Sequence, residues 1–227
     1  MDGLQPEQQL QKADAKKKVA LVIGAGDATG GEIAKRFARG GYIACMTRRN
    51  AEKLQPLIAE IEAEGGIAYG FASDARKEDQ VIALVEEIEA NIGEIDVLVF
   101  NIGANVPCSI LEETARKYFK IWEMACFGAF LTGREVAKRM VVREHGSIIF
   151  TGATAGIRGA ANFAAFAGAK HALRALAQSM ARELGPKNIH VAHVVVDGAI
   201  DTDFIKDTFP EMYARKEQDS ILNPVHI

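Results

Sequence analysis

A doubly wound α/β domain, a parallel sheet of six strands with helices on both faces, is the fold this 227-residue sequence predicts. Two observations lead there. Short runs rich in β-branched residues alternate with helix-period patterns along most of the chain. Parallel strands need crossovers, and a helix between successive strands supplies right-handed ones. No repeat or linker interrupts the alternation, so residues 18–227 read as one domain behind a polar leader, residues 1–17.

The elements follow in order. Val19–Gly24 (VALVIG) reads as a buried strand, followed by a helix over Thr29–Arg39. Tyr42–Thr47 is the second strand and Ala51–Glu64 the second helix. Ile67–Ala72 is the third strand. Glu78–Asn91 is the third helix, with Val81, Leu84, Val85 and Ile88 on its inner face. Ile95–Phe100 is the fourth strand, followed by one long helical stretch over Glu112–Val142. Ser147–Thr151 is the fifth strand. An Ala-rich helix over Ala161–Leu184 then stops at Gly185-Pro186, and Ile189–Val196 is the sixth strand.

Composition narrows the partners. Lys and Arg total 27 against 30 Asp and Glu, a net charge of −3, which gives no reason to expect nucleic acid or an anionic membrane. No apolar run reaches the roughly 18 residues of a membrane span, and the leader has no apolar core like that of a secretory signal. Cys45, Cys108 and Cys126 lie far apart without metal-ligand spacing. An odd count of thiols suits a reducing compartment, so the expected location is the cytoplasm and no metal is expected.

The turn leaving the first strand reads Gly24-Ala25-Gly26-Asp27-Ala28-Thr29-Gly30-Gly31. A glycine-rich turn from a first strand into a first helix lets backbone N–H groups approach a pyrophosphate, and the helix N-terminus favours its charge. Gly24, Gly26, Thr29 and Gly30 are therefore the candidate phosphate-binding residues. Gly spacing alone is weak evidence; its place in a strand–turn–helix at the start of a doubly wound chain strengthens it.

With those residues, the chain resembles the short-chain dehydrogenase/reductase family, whose first turn reads T-G-x-x-x-G-x-G. Gly24 and Gly30 match the first and last glycines, while Ile23 replaces the Thr and Ala28 the middle Gly. Asp74 follows strand three, where the family contacts adenine. Asn101-Ile102-Gly103 resembles N-A-G, and Asp197-Gly198 with Thr202 resembles P-G-x-x-x-T. The resemblance implies a Rossmann-like fold and a nicotinamide dinucleotide bound by Gly24, Gly26, Thr29, Gly30, Asp74, Asn101, Gly103, Lys170 and Thr202. It also implies a lid over about 198–220 and a homodimer or homotetramer. Strand two ends in Thr47 followed by Arg48 and Arg49, where an NAD enzyme would carry a carboxylate. Arginine forks suit a 2′-phosphate, so NADP(H) is expected over NAD(H); Asp27 in the turn is a counter-signal.

The family's catalytic pattern is altered. Its Tyr-x-x-x-Lys pair corresponds to Phe166-Ala167-Gly168-Ala169-Lys170, which keeps the lysine and loses the phenol. Ala153 stands at the Ser position and Ala125 at the Asn position. Thr154 could replace the serine only if the loop bends, because one residue along a strand turns a side chain to the opposite face. Tyr213 in the lid is the best remaining phenol, and His171, His190 and His193 read as structural. Lys170, Thr154 and Phe166 are the candidate catalytic positions.

Losing acid–base help costs typically ~10²–10⁴-fold and does not forbid hydride transfer. Two functions stay open. One is an NADP(H)-dependent oxidoreductase acting on a small carbonyl or activated alkene with a non-standard proton donor. The other is a catalytically deficient dinucleotide-binding sensor or assembly partner. Relatives continue for roughly one more helix and strand, so a truncated chain or a sheet with an exposed sixth strand is expected.

Overall fold

The computed structural model describes residues 18–218 and 221–227; the leader expected over residues 1–17 lies outside them. Six parallel strands form one sheet in the order β3-β2-β1-β4-β5-β6. They are β1 Lys18–Ile23, β2 Ile43–Arg48, β3 Ile67–Ala72, β4 Glu94–Phe100, β5 Gly146–Ala153 and β6 Ile189–Val196. The chain is a single Rossmann-like α/β domain.

Strand β1 accounts for the two-sided packing. Val19, Leu21 and Ile23 enter one apolar cluster while Ala20 and Val22 enter the other, the period-2 alternation of a strand buried on both faces. The first cluster takes in α3 (Glu78–Asn91), α5 (Gly128–Arg143) and α6 (Ala164–Leu184). The second takes in α1 (Thr29–Arg39) and α2 (Gln55–Ala63). Leu84, Val85 and Ile88 sit on the buried side of α3, as their spacing predicts.

Most boundaries fall within one residue of the sequence reading; four depart further. The long helical stretch expected over Glu112–Val142 starts at Ala115, because the Thr114 hydroxyl caps the Lys117 N–H. It runs as α4 (Ala115–Trp122), widens into an i→i+5 turn over Glu123–Phe127, and continues as α5. The helix expected from Ala161 starts at Ala164, after Asn162 in a left-handed conformation (φ 67°). The second helix opens with a 3₁₀ turn, Ala51–Leu54, and strand five runs on to Ala153.

Beyond β6 the segment expected as a lid forms β7 (Ala199–Ile200), α7 (Asp203–Thr208), α8 (Pro210–Tyr213) and β8 (Ile221–Leu222), with β7 and β8 pairing in parallel. Pro224–His226 packs back against α1. Among the described residues β6 ends the sheet, with Val194 and Val195 exposed.

Candidate active site

The sheet order reverses between β1 and β4, and ligands of open α/β sheets bind at such a switch point beyond the strand carboxyl ends. A cavity of about 350 Å³ lies there. It brings together Gly24 and Gly26 of the turn, Arg48 and Arg49 after β2, Asp74 after β3, and Asn101 and Gly103 after β4. These seven positions were selected from sequence alone.

The turn is shaped by three glycines for different reasons. Gly24 has φ +84°, and an added Cβ would lie 2.7 Å from Ile102. At Gly30 an added Cβ would meet the Gly24 oxygen at 2.5 Å and the Asn101 Nδ2 at 2.9 Å, so α1 packs directly on the turn. Gly26 differs: an added Cβ would meet nothing within 4 Å, so it would project into free space. Ala28 takes a negative φ of −121°, so its methyl meets no left-handed backbone strain.

Thr29, at the first turn of α1, is 4% exposed, and its Oγ1 has no hydrogen-bond partner among the described residues. An orphaned hydroxyl at a helix N-terminus, beside a glycine turn with open space, is chemically suited to a phosphate oxygen. The residues present fit a dinucleotide pyrophosphate. Thr47 instead turns inward, its Oγ1 accepting the Gly24 N–H at 3.4 Å.

The charges around the cavity are partly paired. Arg48 Nη1 donates to Asp27 Oδ1 at 3.1 Å and to the Lys53 carbonyl at 3.3 Å. Arg49 makes no hydrogen bond or salt bridge among the described residues. Arg76, not selected from sequence, also lines the cavity. It grips Asp74 through Nε and Nη2, and this hydrogen bonding holds the Asp74 carboxyl below its usual range. No sequence motif marks Arg76; only the turn after β3 brings it into the wall.

On the other side of the cavity, Lys170 is 3% exposed and donates to the Thr151 carbonyl at 2.7 Å and the Ile102 carbonyl at 3.3 Å. Burial lowers its pKa from 10.5 to about 8. An added Cβ on Gly103 would lie 3.7 Å from both Lys170 Nζ and the Phe166 ring, so these two side chains adjoin the cavity through Gly103. Ala125 is fully buried with Ala165 and Ala169 in an apolar cluster.

The loop after β5 does bend, with Thr154 opening a 3₁₀ turn straight after Ala153. The Thr154 hydroxyl donates to Asp197, the residue after β6. Thr202 lies apart from the cavity lining; its Oγ1 caps α7 by accepting the Ile205 N–H at 3.2 Å. Tyr213 is committed elsewhere, donating to Asp201 Oδ1 at 2.8 Å, and that carboxylate raises its pKa.

A profile of the short chain dehydrogenase family matches residues 18–212. The chain belongs to the short-chain dehydrogenase family.

Solved members surround this short-chain dehydrogenase. It is 50% identical to a short-chain dehydrogenase from Rhodopseudomonas palustris, covering 86% of this chain and 91% of that one at a TM-score of 0.75. An NAD+-bound xylitol dehydrogenase is 28% identical, with 87% and 76% coverage and a TM-score of 0.81. A gluconate 5-dehydrogenase from Burkholderia cenocepacia, in complex with NADP and tartrate, is 26% identical, with 84% and 74% coverage and a TM-score of 0.79. Family members are oxidoreductases that bind NAD or NADP and act on small molecules. Among the described residues of this dehydrogenase, no helix is long and apolar enough to cross a membrane.

Proposed function

We propose that this protein is an NADP(H)-dependent oxidoreductase acting on a small carbonyl or an activated alkene, with a proton donor other than the family's phenol. The observation that carries the reading is the continuity of the cavity. It joins the glycine turn to Arg48 and Arg49 on one side and to Gly103 on the other, with the orphaned Thr29 hydroxyl buried behind the turn and Lys170 packed behind Gly103. Gly24, Gly26, Thr29 and Gly30 would hold the pyrophosphate, and Asn101 would brace the turn through its bond to the Gly24 carbonyl at 3.4 Å. Arg49, which makes no carboxylate salt bridge among the described residues and acts on Asp74 only through its charge, is the better placed of the two arginines for a 2′-phosphate, because Arg48 is tied to Asp27. When bound, the cofactor supplies or accepts hydride at the nicotinamide end.

Lys170 would hold the nicotinamide-side ribose. Its ammonium sits between two backbone carbonyls, and a pKa near 8 leaves it able to give up a proton at mildly alkaline pH. Phe166, Ala153 and Ala125 make the reacting end apolar and present no acid. Thr154, just past β5, donates its hydroxyl proton to Asp197, so it would accept from a substrate hydroxyl and relay that proton to the carboxylate. Conjugated alkenes need less such help, because hydride goes to carbon and water protonates the enolate oxygen or carbon. Thr202 and the lid segment would close the substrate side.

Binding of NADPH and NADH followed by cofactor fluorescence, then NADPH consumption against enones, enoyl thioesters and ketones, tests this. NADPH should bind more tightly than NADH, and at least one carbonyl or alkene class should turn over. Binding without turnover on all three would favour a sensor or assembly role. Phe166→Tyr with Ala153→Ser should raise ketone reduction above wild type.

We also infer a homodimer or homotetramer working in the cytoplasm. A ladder of stacked rings, Phe119–Trp122–Phe127–Phe130, runs along α4 and α5 at centroid spacings of 5.8, 6.0 and 6.1 Å. Phe119 is 59% exposed, an apolar face suited to burial against a second copy. Phe119→Asp should shift the sedimentation coefficient to that of a monomer.

A further inference from the structure

The cavity has two ends, and topology says which half of a dinucleotide each would take. Lys170 and Gly103 stand on the β4–β5 side. The adenosine half therefore belongs on the β2–β3 side, where Arg76 lines the wall after β3. This step rests on the dinucleotide reading above.

Arg76 is held along its edges. Nε donates to Asp74 Oδ1 at 2.8 Å and Nη2 to Asp74 Oδ2 at 2.5 Å. On another edge Nη1 faces Glu123 Oε2 at 3.5 Å, in the turn that joins α4 to α5. The Arg76 backbone N–H takes a third place on Asp74, at 3.1 Å to Oδ1. A carboxylate has about four lone-pair sites, so Asp74 keeps one, on Oδ2, for a ligand's amino group, and the ring face is left for another residue to meet. A guanidinium anchored by carboxylates along its edges keeps its flat faces for stacking, and guanidinium planes stack on aromatic rings.

We propose that Arg76 is the purine-recognition residue of this protein. Its guanidinium, fixed in plane by Asp74 and Glu123, offers a flat cationic face to the adenine ring, and Glu123 is a positioning residue that acts through Arg76. Recognition through a face is indifferent to the 2′-substituent. Arg76 therefore adds affinity for NADPH and NADH alike, whereas Arg49 discriminates between them.

The test is calorimetric titration of wild type, Arg76→Met, Arg76→Lys, Glu123→Gln and Arg49→Ala with NADPH, NADH and reduced nicotinamide mononucleotide, which lacks adenine. Arg76→Met keeps an apolar stem of similar reach. It should weaken NADPH and NADH equally, by about tenfold, the size of a cation–π contact between the exposed and the fully desolvated limits. Reduced nicotinamide mononucleotide should bind wild type and Arg76→Met alike. Arg76→Lys keeps the charge without the plane and should recover less than half of the loss; Glu123→Gln should lose about threefold. Arg49→Ala should weaken NADPH alone. Unchanged binding by Arg76→Met, loss confined to NADPH, or full rescue by lysine would overturn the proposal. A wild type that binds neither dinucleotide would instead remove the dinucleotide reading on which it rests. Circular dichroism melting of each variant separates lost binding from lost fold, and Glu123→Gln, which leaves the Asp74–Arg76 fork intact, serves if Arg76→Met melts early.

Discussion

The Arg48 guanidinium reaches across from the end of β2 to the Asp27 carboxylate in the glycine turn, with Nη1 and Oδ1 3.1 Å apart. The pair reconciles two opposed sequence signals, since the residue expected to attract a 2′-phosphate is held by the residue expected to repel it. Asp27 is 89% exposed, so the pair contributes little to stability. Asp27→Ala should therefore leave the melting temperature unchanged. It should tighten NADPH binding about threefold to tenfold while leaving NADH within twofold, because it frees a fork and removes a like charge from the phosphate. Parallel fluorescence titrations with the two cofactors read this directly.

Gly26 and Gly30 make a contrasting pair. A methyl at Gly26 enters open space, so Gly26→Ala should fold normally yet lose more than tenfold in dinucleotide affinity by filling the pyrophosphate cradle. A methyl at Gly30 meets the Gly24 oxygen at 2.5 Å, and backbone must shift to admit it. Gly30→Ala should cost about 1–3 kcal/mol of stability as well as binding. Urea denaturation alongside cofactor titration separates the two.

Lys170 gives a pH dependence of defined sign. Burial lowers its pKa from 10.5 to about 8, so between those values the unfolded chain binds more protons than the folded one. Stability of the nucleotide-free protein should rise with pH across that window. It is held down by roughly 3 kcal/mol at pH 8 and below, where the buried ammonium is charged. Lys170→Met should be flatter than wild type between pH 8 and 10.5 in denaturation midpoints. A Lys170 side-chain carbon resonance titrating near 10.5 would contradict the assignment.

Asp96 works in the opposite direction. It is 9% exposed at the start of β4, and burial alone would raise its pKa. Hydrogen bonds from Lys18 at 3.2 Å and Tyr42 at 3.1 Å, with His145 Nδ1 at 3.0 Å, instead bring the carboxyl below its usual range. A lowered carboxyl pKa stabilises above the unfolded value, and that contribution disappears as pH falls through the folded one. Asp96→Asn should cost about 1–3 kcal/mol at pH 7, and its deficit should shrink below about pH 4. Chemical denaturation at pH 7 and pH 3 compares them.

Much of the site could be read before the structure because it is local. Gly24, Gly26 and Gly30 lie within seven residues of one turn, and positive φ, close packing and open space there are written in residue type. Arg76 was missed for the converse reason. Nothing in Ser73-Asp74-Ala75-Arg76 distinguishes a solvated arginine from one folded back on a carboxylate and facing Glu123, which is 47 positions further along the chain. Tyr213 shows the same limit, since its phenol looked available until Asp201 was seen to hold it.

Sequence by itself determined the strand–helix alternation, the glycine-rich turn after the first strand and the apolar side chains at Phe166, Ala153 and Ala125, because periodicity and side-chain chemistry are properties of single residues and near neighbours. Tertiary structure alone decided which charges are spent on one another. Arg48 with Asp27, and the Thr154 hydroxyl with Asp197, meet because their strands are neighbours in the sheet, and Arg76 meets Glu123 where the turn after β3 faces the turn between α4 and α5. Lys170 is shifted by its burial between the ends of β4 and β5. Pairing and desolvation depend on distance in space, and a parallel sheet places adjacent the strand ends that the chain keeps dozens of residues apart.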